Sequence, residues 1–116
     1  MTDKRVLTIQ DISCFGQCSL TVALPIISAC GIETAVIPSA VLSTHTSGFT
    51  GYTCRDLAED IPKIHAHWKE TGILFDAVYT GYLGSSEMIE DVMEIMRELG
   101  TENSINIVDP AMADEG

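Results

Sequence analysis

Val41 to Tyr52, VLSTHTSGFTGY, gathers hydroxyls, the imidazole of His45 and two glycines directly after an apolar run. Such a mixture can hydrogen-bond a polar small molecule. In an open parallel sheet the loops leaving the carboxyl ends of strands form the ligand crevice, so a Ser/Thr/Gly loop placed there is a candidate binding edge. Ser, Thr and Gly also dominate ordinary surface turns, and the composition alone is compatible with that too. Ser13, in the stretch Asp11 to Gln17, follows an earlier apolar run in the same way, and Gly16 there permits a tight turn or a close approach to a ligand.

The other residue types that could do chemistry are less suggestive. Cys14, Cys18, Cys30 and Cys54 lack the close pairing of a zinc ribbon. His65 and His67 lie two apart, which puts them on one face of a strand but about 200° apart around a helix. Buried or half-buried thiols in a reducing compartment, and ordinary helical histidines, are the expectation. The five methionines read as core packing rather than a cofactor box.

Composition narrows the class. The chain has 116 residues, room for one domain, and its 46% hydrophobic content argues for a folded globule. No run reaches the ~18 apolar residues of a membrane span. With 17 acidic against 6 basic residues the net charge is −11. Nucleic acid is an unpromising partner, because phosphate binding needs clustered Lys and Arg. A phosphate site in so acidic a chain must lean on backbone amides, helix N-termini or a metal ion. The N-terminus MTDKRVLTIQ has no apolar h-region, so the expected location is the cytoplasm.

Four strands are expected to position these groups: Arg5 to Gln10, Thr34 to Leu42, Ala77 to Thr80 and Ile105 to Val108. Asp11 to Gln17 is predicted as the loop after the first, and Pro38 marks the second as an edge or a bulge. Between strands, Ser19 caps a helix that Pro25 kinks and Gly31 stops. Asp56 to Thr71 reads as a helix broken near Pro62 and ended by Gly72. Ser85 or Ser86 caps a further helix with Met88, Ile89, Val92, Ile95, Met96 and Leu99 at helical spacing, stopped by Gly100. Alternating strands and helices predict a three-layer α/β/α parallel sheet. The chain is expected to be the first half of a larger fold, because a doubly wound enzyme would begin another helix where it stops.

VLTIQDISCFG, GIETAVIPSAVLSTHT, DAVYTGYLGS and IVDPAMAD, in this order and spacing, resemble the amino-terminal half of a pyridoxal kinase of the ribokinase superfamily. The likeness runs over essentially the whole chain. It implies transfer of the γ-phosphoryl group of ATP to the 5′-hydroxymethyl of pyridoxal, pyridoxine or pyridoxamine, with Mg²⁺ and commonly K⁺. It further implies roles for individual residues. Ser13 matches the serine that bonds the pyridine ring. Thr46 matches a substrate-contacting threonine with His45 beside it, and Tyr82 matches an aromatic near substrate and nucleotide. Asp109 matches an aspartate on the ATP and cation side, and Asp114 an acid linked to Mg²⁺. Two carboxylates at that spacing can act on a magnesium–phosphate complex directly or through water.

The sequence also departs from the family pattern. Thr44 stands where many relatives have Asn, Leu42 where many have an aromatic, and Ala113 where Gly is common. Ring stacking on a substrate would then be weaker or come from Phe49. The family's Gly-Thr-Gly-Asp element, source of the anion hole and the catalytic base, has no counterpart in these residues, so this chain alone is expected to be inactive. Two other readings stand beside the first: a hydroxymethylpyrimidine kinase, which shares the fold and a similar acceptor alcohol, and a non-catalytic module whose open sheet edge pairs with another chain. The expected partner is a small-molecule B6 vitamer, with neither nucleic acid nor membrane, and relatives are commonly homodimers.

Overall fold

In the computed structural model, residues 4–15, 26–27, 29–44, 48, 50–81 and 83–108 are described. They form a five-stranded sheet in the order β3-β2-β1-β4-β5. Its strands are β1 (Arg5–Ser13), β2 (Glu33–Leu42), β3 (Cys54–Asp56), β4 (Phe75–Thr80) and β5 (Gly100–Val108), with helices α1 (Ile61–Thr71) and α2 (Ser86–Glu98) between the later strands. β2, β1, β4 and β5 run parallel, whereas β3 adds antiparallel to the edge of β2. The predicted parallel α/β layer is therefore present with one antiparallel strand added.

The sequence explains most of these elements. Leu7, Ile9, Ile37 and Val78 are sealed from solvent and form one face of the sheet's centre, against which Ile61 of α1 and Met88, Val92 and Ile95 of α2 pack. Trp68 adds a tilted ring contact with Phe75, with centroids 5.5 Å apart. Burial of aliphatic side chains on this scale is the main stabilising term of such a layer, at about 1.5–3 kcal/mol for each. Ser85 caps α2 by accepting a hydrogen bond from the Met88 amide at 3.1 Å. Gly72 ends α1 at φ 79°, a left-handed conformation in which its amide donates back to Lys69.

Four expectations are corrected. β1 continues through Asp11, Ile12 and Ser13, which were predicted as loop, because Ile12 and Ser13 go on pairing with Val41 and Leu42 of β2. The continuation depends on a register shift: Gln10 faces Pro38 but Ile12 faces Val41, so β2 carries one extra residue there. The bulge thus falls beside Pro38, as a proline within the strand suggests. Asp56 ends strand β3 instead of beginning a helix, and its carboxylate accepts from the Ala58 amide at 2.6 Å to turn the chain toward α1. Gly100 opens β5, since Leu99 already caps α2. Cys14, Cys30 and Cys54, expected to be at least half-buried, are exposed, and Cys18 lies outside the described residues.

Of the helix predicted from Ser19 to Cys30, the described Ile26, Ile27 and Ala29 are helical. The predicted kink at Pro25 lies outside the described residues.

Candidate functional site at the carboxyl ends of β1, β2 and β4

The chain leaves β1 to build β2 on one side and later returns to build β4 on the other. The carboxyl ends of β1 and β4 therefore flank the point where the winding reverses, which is where open α/β sheets bind ligands. An open groove of about 540 Å³ between Lys4, Asp76, Thr101 and Glu102 lies at the opposite, amino-terminal end of the strands. Ligands of such sheets bind outside the carboxyl ends, so the groove is the weaker candidate.

Side chains on a strand alternate between faces, and cross-strand partners share a face. On the face that carries Leu7 and Ile9, β1 next presents Asp11 and Ser13. On the same face β2 goes from Ile37 to Ser39, and β4 from Val78 to Thr80, the register partner of Ile9. Toward the carboxyl ends of three adjacent strands the apolar floor therefore gives way to polar side chains, Thr80 at the level of Ile9 and Asp11 and Ser13 two and four residues beyond it. These remain buried: Thr80 and Ser39 at 0%, Ser13 at 2% and Asp11 at 9% exposure.

Among the described residues the hydroxyls of Ser13 and Thr80 have no hydrogen-bond partner, and neither does that of Thr44, two residues beyond the end of β2. A hydroxyl removed from water without a partner costs roughly 1–3 kcal/mol. Three of them at the ends of neighbouring strands is a costly arrangement for a purely structural layer. It suits a surface that completes its hydrogen bonds with a ligand.

The opposite face is closed at the same level. Gln10 Nε2 donates to Thr8 Oγ1 at 3.1 Å, and the amide of Gly81 donates to the Ile9 carbonyl at 2.9 Å. A Cβ at position 81 would stand 3.0 Å from Gln10 Oε1. Gly81 thus lets the chain leave β4 over the Gln10 side chain, which orients the Gly81–Gly84 exit.

Of the sequence-predicted site residues, only Ser13 belongs to the described set, and it occupies the site. His45, Thr46, Tyr82, Asp109 and Asp114 lie outside the described residues, as does Phe49. Asp11, Ser39, Thr44 and Thr80 were not singled out from sequence. The signal was there for Asp11, since Leu7, Ile9, Asp11 and Ser13 continue one alternation. His65, expected to be an ordinary helical residue, places Nε2 2.9 Å from Glu98 Oε1, far from the site on the sequence and bridging α1 to α2. Among the described residues no cluster of His, Cys, Asp and Glu could hold a metal ion.

Solved structures share this fold. A Bacteroides thetaiotaomicron protein assigned as a phosphomethylpyrimidine kinase, crystallised with pyridoxal, superposes with a TM-score of 0.91 at 39% identity over 99% of this chain. Pyridoxal kinase from Lactobacillus plantarum superposes at 0.88 with 32% identity over 97% of this chain. The chain has, in part, the pyridoxal kinase-like fold of the ribokinase superfamily. It spans 40% of the length of each of these two structures. The Leishmania donovani pyridoxal kinase bound to ADP and pyridoxine, at 24% identity and a TM-score of 0.78, shares the fold. No family model matches the sequence, and no curated protein does. No helix among the described residues is long and apolar enough to cross a membrane.

Proposed function

We propose that this chain is the acceptor-binding part of an ATP-dependent kinase that phosphorylates the 5′-hydroxymethyl group of pyridoxal, pyridoxine or pyridoxamine. The observation that carries the reading is the buried hydroxyl of Ser13 at the end of the central strand, which has no hydrogen-bond partner among the described residues. The pyridoxal held by the B. thetaiotaomicron relative supports it. In this reading Ser13 bonds the ring, His45, Thr46 and Tyr82 complete the acceptor site, and Asp109 and Asp114 serve the nucleotide and magnesium side. Residues 1–116 then form the amino-terminal part of one ribokinase-like domain. Phosphoryl transfer is mainly positioning and charge stabilisation with a base. The base and the anion hole come from polypeptide outside these residues, and the 116-residue chain alone turns over no ATP.

A second reading keeps the fold and changes the acceptor to hydroxymethylpyrimidine, and the description of the B. thetaiotaomicron relative as a phosphomethylpyrimidine kinase, an enzyme of a related pyrimidine, favours it. Calorimetric titration of the chain with pyridoxine and with the pyrimidine alcohol separates the two. Tighter binding of pyridoxine supports the first reading, and tighter binding of the pyrimidine overturns it. ATP turnover with pyridoxal by this chain would overturn the assignment of the base to another segment.

A further inference from the structure

The two faces of the sheet are not equally covered. α1 and α2 both pack on the face of Leu7, Ile9, Ile37 and Val78. On the other face the register carries two rows from the central strand to the edge: Val6, Ala77 and Ile105, then Thr8, Tyr79 and Ile107. Thr8 is sealed at 0%, whereas Ile107, two strands away in the same row, is 50% exposed and Ile105 beside it 62%. This face is therefore closed over β1 and open toward β5. The groove of about 540 Å³ lies in that opening, lined by the apolar row Val6, Ala77 and Ile105 and by the polar Asp76, Glu102 and Asn103.

Parallel strands occur almost only in sheets covered on both faces, so an apolar row left half open calls for a further layer. The next crossover cannot supply it. The connection from β4 to β5 carries α2 over the covered face, and a right-handed connection from β5 to a parallel strand beyond it puts its helix on that same face. The chain spans 40% of the length of its relatives, so more than half of such a kinase is polypeptide outside these residues. We infer that the Val6–Ala77–Ile105 groove is the seat of an amphipathic helix of that remaining polypeptide, and that this helix is not the crossover following β5 but one that returns across the sheet from elsewhere in it. Its apolar stripe enters the groove and covers Ile105 and Ile107. This takes from the functional reading above only the source of the helix, and it holds whichever alcohol is the acceptor.

The test is co-expression of the 116-residue chain with the part of the B. thetaiotaomicron relative that it does not match, followed by sedimentation across a dilution series and by hydrogen exchange. The two polypeptides are expected to co-purify. Ile107→Glu should weaken the complex at least tenfold, while Val108→Glu, on the same strand but the other face, stays within about twofold. Ala77→Glu, which puts a charge into the groove and leaves the β5 edge untouched, should repeat the loss; Ile107 is outside the buried core, so its variant keeps the test open if Ala77→Glu does not fold. Hydrogen exchange should show that the helix losing protection in Ile107→Glu is not the first helix of the added polypeptide. Absence of a complex, equal weakening by Ile107→Glu and Val108→Glu, or loss of protection in that first helix each overturns the inference. So does a homodimer of the 116-residue chain that Ala77→Glu dissolves while the added polypeptide stays unbound. A complex seated on this face that phosphorylates neither pyridoxal nor hydroxymethylpyrimidine leaves the docking standing and counts against the kinase reading. Turnover in a complex that Ile107→Glu does not weaken keeps the kinase reading and overturns the docking.

Discussion

Lys69 on α1 and Glu98 on α2 meet with Nζ 3.1 Å from Oε2, and His65 approaches the other carboxylate oxygen of Glu98 at 2.9 Å. Two side chains one turn apart on α1 thus converge on a single acid at the end of α2 and hold the two helices at a fixed offset on the sheet.

The Lys69 hydrogen bond, with the nearby charges of Lys69, His65 and Arg97, lowers the Glu98 carboxyl below its ordinary value of 4.5. A carboxyl depressed in the folded state contributes stability above its unfolded pKa and loses it as pH falls through the folded one. Thermal melting of wild type and Glu98→Gln should therefore differ most near neutral pH and converge as pH drops below about 4.5. The contact is open to solvent, so 0.5 M salt should shrink the difference. Curves that remain parallel down to acid pH would show that Glu98 acts through packing.

Replacing a partnerless buried hydroxyl removes a cost without removing a bond. Ser13→Ala and Thr80→Val are accordingly expected to leave the melting temperature unchanged or raise it, by up to about 1–3 kcal/mol of stability each. In Ser13→Ala, affinity for pyridoxine is expected to fall about tenfold, the worth of roughly 1.4 kcal/mol. Loss of stability in both variants would show that the hydroxyls have partners in the folded protein and would remove the main argument for a ligand site.

Gly81→Ala tests the exit from β4. The added Cβ would press on the Gln10 side chain, which is buried and held by its bond to Thr8. Overpacking of this kind costs about 1–3 kcal/mol. The clash is with one removable side chain, so the double variant Gly81→Ala/Gln10→Ala should recover part of that loss relative to the sum of the single changes. Gly100→Ala offers the contrast. Its Cβ would stand 2.9 Å from the Met96 carbonyl, a backbone atom that no substitution removes, and its cost should be insensitive to changes at Ser104. Urea denaturation of these variants measures both effects.

The contrast between these positions also explains what the sequence could disclose. Gly72 and Ser85 were legible because capping is local: a glycine past the last turn and a serine before the first act on atoms within a few residues. β3 was not, since Cys54, Arg55 and Asp56 are all exposed and carry no alternation, and their strand character comes entirely from pairing with Ala40 to Leu42. β5 was half legible. Ile105 to Val108 reads as strand, while the polar run Thr101 to Ser104 is the irregular part of β5 between the Phe75–Gly100 and Ala77–Ile105 pairs. Ser13 was legible as a site residue but not as a strand residue, because the bulge that keeps β1 paired beyond Gln10 belongs to β2. Ser39 and Thr80 looked like ordinary strand hydroxyls, and only the register puts them on the same face as Ser13.

β5 supplies the last prediction. It is the sheet's edge among the described residues, and Ile105, Ile107 and Val108 are at least half exposed along it. Ile105 and Ile107 continue the face of Ala77 and Tyr79, while Val108 lies on the other. An edge strand with exposed apolar residues offers unpaired backbone groups to another strand. The isolated 116-residue chain is therefore expected to self-associate as its concentration rises, and Ile105→Lys/Ile107→Lys to suppress this, since lysine on an edge blocks strand addition. Neither side chain belongs to the buried core, so the melting temperature of the dilute protein should change by no more than the effect of about 0.5 kcal/mol typical of surface substitutions. Sedimentation velocity across a concentration series reads the outcome directly. Association that persists unchanged in the double variant would place the contact elsewhere, with the exposed Ile89 and Met93 of α2 as the next surface to change.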